Sequence, residues 1–137
     1  MDLLSTNAKG KNIRGKKLLL YGKCIEENPE YLERFDRYVK LSFCPEKEHI
    51  NMAFYKLMAM FSVAKELVVL TTDGSPHCVG LHHIAQEVLK YSARKIPVRH
   101  FVINNGKLIE VEEDDIKLSR YLSKIKRLRS AELGSQR

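Results

Sequence analysis

Three of the chain's five histidines and one of its three cysteines fall between His77 and His83, in the stretch "TTDGSPHCVGLHH". Thiolate and imidazole together make a donor set for tetrahedral Zn²⁺. A cysteine in the first turn of a helix is also a candidate nucleophile, because unpaired backbone N–H groups and the helix dipole stabilise its thiolate. The same amides can hold a phosphate or carboxylate. Ser75 and Pro76 suit the N-cap and first helical position, so a helix over about 76–92 is expected, with Cys78 in its first turn.

Helical phase sorts the histidines. Leu81, Ile84, Ala85 and Val88 mark the core stripe, and Cys78 and His82, four apart, share one margin of it. His83 falls with Glu87 and Lys90 on the solvent side, and His77 sits at the helix entrance. A second thiol, Cys24 in "LYGKC", follows another apolar run. The resulting expectation is a metal site of Cys24, Cys78 and His82, with Zn²⁺ as cofactor. Asp73, Gly74, Ser75 and His77 would form an adjoining ligand site for a small anion. Asp73-Gly74 reads in the first place as a turn pair, and Cys44 with His49 as a separate, weaker pair. His100 reads as structural.

Several enzyme classes are excluded by the letters. The phosphate loop H-C-x5-R needs Arg six residues after Cys78, where Ile84 stands. Neither G-x-G-x-x-G nor a Walker A pattern occurs. Three scattered cysteines fall short of the usual four of an iron–sulfur cluster.

The elements that must position these groups follow from pattern. "KKLLLYGKC" (16–24), "ELVVLTT" (66–72) and "PVRHFVI" (97–103) read as buried strands. "NNG" is a hairpin turn into a return strand, "KLIEV" (107–111). Helices are expected over 29–41, where Asn28-Pro29 resembles a cap, over 45–64, and over 113–129. In the last of these Leu118, Tyr121, Leu122, Ile125 and Leu128 would face inward. Strands alternating with helices predict an α/β three-layer sandwich with a small, mainly parallel sheet, Rossmann-like or flavodoxin-like, and an antiparallel edge hairpin. Cys24 and Cys78 then meet only if the strands preceding them are neighbours.

At 137 residues the chain suits one domain. The expected division is a flexible basic tail over 1–16, the α/β domain over 17–129, and a flexible tail over 130–137. No apolar run approaches membrane-spanning length, and three unpatterned cysteines fit a reduced cytoplasmic protein without a membrane role. The net charge of +7 is uneven: residues 1–17 carry five Lys/Arg against one Asp, and residues 117–137 carry seven against one Glu. The segment between them holds twelve basic and fifteen acidic residues, which excludes a uniformly basic nucleic-acid-coating domain. Lys117, Arg120, Lys124 and Arg127, spaced by three, four and three, make one basic helical face. That face could meet nucleic-acid phosphates or an acidic protein partner.

Overall fold

The structure, a computed structural model, describes residues 1–135. One sheet holds β1 (Lys17–Gly22), β2 (Val39–Phe43), β3 (Glu66–Thr72), β4 (Val98–Asn104) and β5 (Lys107–Val111). Their spatial order is β2-β1-β3-β4-β5. The first three pairings are parallel and β4–β5 is antiparallel. The hairpin closes through Asn105 and Gly106 at φ 51° and 74°, the two positive angles that a tight turn matching strand twist requires.

Alternation along the strands sends side chains into two apolar layers. Leu18 and Leu20 of β1 and Leu67 and Val69 of β3 enter the larger core. There they meet Leu57 and Met60 of α2 (Ile50–Phe61) and Leu81, Ala85 and Val88 of α3 (Val79–Tyr91). Leu19 and Tyr21, with Val68 and Leu70, point the other way. This thinner layer is covered by Ile25 in a 3-10 turn over Lys23–Glu27, by α1 (Glu30–Glu33), and by Phe35. Two further helices, α4 (Glu113–Leu118) and α5 (Leu122–Ser135), complete the chain. The expected α/β sandwich, with its mainly parallel sheet and antiparallel edge pair, is therefore the observed architecture. No helix among the described residues is long and apolar enough to cross a membrane.

Four expectations are corrected. The helix expected over 29–41 is only the four-residue α1, and its last three residues open strand β2. Val39, Leu41 and Phe43 alternate at period two and pack into the larger core, whereas the helical pattern of Leu32, Phe35 and Val39 breaks there. Residues 1–16, expected as a flexible tail, are packed: Leu3 and Ile13 are fully buried, and Asp2 bridges to Ser42 of β2. The C-terminal helix expected over 113–129 is broken. The Ser119 hydroxyl donates to the Ile116 carbonyl at 2.6 Å, a local bond that competes with helix continuation. Beyond that break α5 is exposed along 122–134, so Leu122, Ile125 and Leu128 are not core residues. The expected tail over 130–137 is helical as far as Ser135, and its last two residues lie outside the described ones.

Candidate functional site at the carboxyl edge

The strand order reverses between β1 and β3: from β1 the chain moves outward to β2, then returns past β1 to β3. In open α/β sheets ligands bind beyond the carboxyl ends of the strands at such a reversal. Cys24 lies just past β1, Cys44 just past β2, and Cys78 just past the turn that follows β3. All three cysteines are free.

Cys24 is exposed, and its Sγ lies 3.9 Å from Thr72 Oγ1 at the end of β3. Cys78 is buried behind it, 7% exposed. Its sulfur lies over the backbone of β1, so that a methyl group added at Gly22 would sit 3.3 Å from it. Glycine at position 22 is what lets the thiol approach so closely. Burial pushes the Cys78 thiol above its ordinary pKa of 9.0, the Ser75 hydrogen bond opposes this, and the nearby Cys24 and Cys44 thiols add to it. The lowered pKa expected from a helix start is thus replaced by a raised one, with burial as its largest cause.

The turn before α3 uses its polar groups internally. Ser75 Oγ accepts the Cys78 N–H at 3.3 Å, the bond expected of a cap, although the regular helix begins only at Val79. Gly74 takes φ 89°, so Asp73-Gly74 is a true turn, and the Asp73 amide continues the ladder to the Ile103 carbonyl at 3.0 Å. Asp73, Gly74 and His77 are exposed at this rim. The Cys78 amide is taken by Ser75 and is not free to meet an anion.

His82 does not join the cysteines. Its Nε2 lies 2.7 Å from Thr71 Oγ1 and its Nδ1 2.9 Å from His100 Nδ1, so both ring nitrogens are taken in the interior. Burial first, and His100 next, hold the His82 pKa down at about 3, and burial holds His100 at about 4. Among the described residues no group of three or more His, Cys, Asp or Glu side chains is arranged to hold a metal ion. The three-ligand set of Cys24, Cys78 and His82 is therefore not assembled. His49 does not pair with Cys44 either: its Nδ1 accepts the Asn51 N–H at 3.3 Å and caps α2.

The basic face also divides. Lys117 belongs to α4, where it pairs with Glu113 at 3.1 Å, and Arg120 lies in the break. Lys124 and Arg127 belong to the exposed α5. Lys117 and Arg120 instead line a cleft of about 700 Å³ between α3 and α4. His83, placed by helical phase on the solvent side, lines that cleft as well, and its Nε2 lies 3.2 Å from Ser119 Oγ. Sequence reasoning missed this cleft and the His82–His100 contact, because both depend on how α3 packs against β4 and α4, which helical phase alone does not fix. The place of Cys44 at the carboxyl end of a strand could have been found from the period-two alternation that ends at Phe43.

Compared with known proteins, residues 11–135 match a family model described as a Rossmann-like domain. No curated protein and no solved structure matches the chain.

Proposed function

From the premise that this chain belongs to the Rossmann-like domain family, we propose that it holds a small thiophilic ligand at the carboxyl edge of β1 and β3. Cys24 is the exposed thiol, Cys78 the buried one, and Asp73, Gly74, Ser75 and His77 form the rim. The observation that carries this reading is the convergence of Cys24 and Cys78 at the strand-order reversal. Two thiols supply half of a tetrahedral shell, which leaves the remaining positions to a small anion or water. Because a ligating thiol must be deprotonated, the raised pKa of Cys78 makes capture stronger as pH rises.

The test is titration of reduced protein with Zn²⁺, or with Co²⁺ for its thiolate charge-transfer absorption, on the native chain and on Cys24→Ser, Cys78→Ser and His82→Gln. Saturable binding lost in both cysteine variants and kept in His82→Gln supports the proposal. No saturable binding to the native protein, or binding indifferent to both cysteines, ends it.

A second reading rests on a separate observation, the exposure of α5 along 122–134 with Lys124 and Arg127 upon it. This helix offers a basic surface to nucleic-acid phosphates or to an acidic protein. Charge reversal at Lys124 and Arg127 should then abolish salt-sensitive retention on a duplex DNA or RNA probe, and unchanged retention would remove this reading.

A further inference from the structure

The cleft between α3 and α4 is lined by no cysteine and runs along α3 from His83 to Lys90 and on to the entry to β4. Its volume of about 700 Å³ falls within the roughly 300–1,000 Å³ of small-molecule sites. The composition of its walls is mixed in an informative way. Leu89, Ile96 and Ile116 supply an apolar surface, while Lys90, Lys95, Lys117 and Arg120 supply cations against the two carboxylates Glu87 and Glu113.

These cations are not equally available. Lys95 Nζ donates to the carbonyls of Leu89 and Lys90 at 2.6 and 3.1 Å, closing the end of α3, and Lys117 is paired with Glu113. Lys90 and Arg120 have no carboxylate within salt-bridge distance among the described residues. Both side chains instead lie over neighbouring tyrosine rings, Tyr91 and Tyr121, at 5.3 and 5.7 Å. The polar wall between them is His83 and Gln86.

We propose that this cleft binds a small organic anion with an apolar body, its acid group met by Arg120 and Lys90 and its body seated on Leu89, Ile96 and Ile116. His83 and Gln86 orient it. An anion beside Arg120 removes the repulsion that, after burial, holds the His83 pKa down, while Glu87 already acts in the opposite direction. Glu113 and Lys117 face the same space from α4 but largely neutralise one another. Ligand binding therefore couples to proton uptake at His83. Gln86 has a second role, since its Nε2 lies 2.6 Å from His100 Nε2, so a ligand that engages the amide is also registered at the buried imidazoles.

The experiment is a heteronuclear NMR and calorimetric titration of the full chain with octanoate. Hexanol serves as an apolar body without charge, and inorganic phosphate as charge without an apolar body. The expected result is saturable octanoate binding that shifts signals of His83, Gln86 and Ile116 and raises the His83 pKa. It should weaken at least tenfold in Arg120→Glu and in Lys90→Glu. Both residues are exposed, so neither variant endangers the fold. Cys24→Ser should bind octanoate as the native chain does, which separates this site from the thiol edge. The proposal is overturned by an absence of saturable binding, by phosphate or hexanol binding as well as octanoate, or by full affinity in both charge variants. Shifts confined to Leu122 and Leu128 of α5 would overturn it equally.

Discussion

His82 and His100 face one another Nδ1 to Nδ1 at 2.9 Å in the larger core, an arrangement with room for one proton between the two rings. The outer nitrogens extend the chain, His82 to Thr71 and His100 to Gln86. A hydroxyl can donate or accept, and an amide can present its NH2 or its oxygen, so the chain is satisfied in either direction with both rings neutral. A third proton on the pair can be held with both outer nitrogens donating, so burial of the charge is what opposes it, and only a proton on every nitrogen would set two N–H donors against each other.

Acid should therefore destabilise the protein through this pair. Both folded pKa values, about 3 and about 4, lie below the ordinary 6.5. Above pH 6.5 both rings are neutral whether the chain is folded or unfolded, and stability is complete. Below it the unfolded chain takes up protons that the native state refuses, so stability falls until the folded values are reached. His100 alone accounts for a loss on the order of 3 kcal/mol across that window. Denaturant midpoints measured between pH 7.5 and 4 should decline steeply, and His100→Gln should flatten the decline.

The amino-terminal segment should behave as core. Leu3→Ala and Ile13→Ala should each cost about 2–5 kcal/mol, the range for truncating a fully buried aliphatic side chain. A loose tail would tolerate both changes within about 0.5 kcal/mol. Equilibrium unfolding of the two variants distinguishes the cases.

The thiol edge predicts a graded reactivity. Under native conditions a maleimide should label Cys24 first and Cys78 last, since one thiol is exposed and the other buried with a raised pKa. Gly22→Ala should cost about 1–3 kcal/mol by crowding Cys78. Shortening the neighbour in Gly22→Ala/Cys78→Ala should recover part of that loss, and a double-mutant cycle that came out additive would remove the contact as its cause.

The last helix should contribute little to folding. Leu122→Ser and Leu128→Ser should change stability by less than about 0.5 kcal/mol, because these side chains are 81% and 55% exposed. Thermal unfolding of each variant is the measurement, and a loss of several degrees would place α5 against the body.

Much of this arrangement is legible in the residues. The apolar runs preceding Cys24 and Asp73 are buried parallel strands, and Asn105-Gly106 makes its tight turn. Strand β2 was hidden because Val39 belongs to two patterns, a helical one reaching back to Leu32 and an alternating one reaching forward to Phe43. Only the gain from pairing with β1 decides between them. For the site, the two strands that precede Cys24 and Cys78 are neighbours, the condition on which their meeting depended. Spacing on the helix misassigned His82. Residues four apart share a face, but Cys78 precedes the regular helix, and His82 finds better hydrogen-bond partners inside. The packing of the first sixteen residues leaves no such trace, because two buried side chains, Leu3 and Ile13, are too few to create a periodic signal.

The docking of Met1–Leu3 has an effect beyond burial. Ser42 donates its amide to the Met1 carbonyl at 2.7 Å and accepts from the Leu3 amide at 2.9 Å, so the outer backbone of β2 is partly occupied. On the opposite border β5 carries Lys107 and Glu110, charges that discourage a foreign strand from joining. Removing the first three residues would leave β2 an open template for intermolecular strand addition, and the domain would become prone to polymerise through that border.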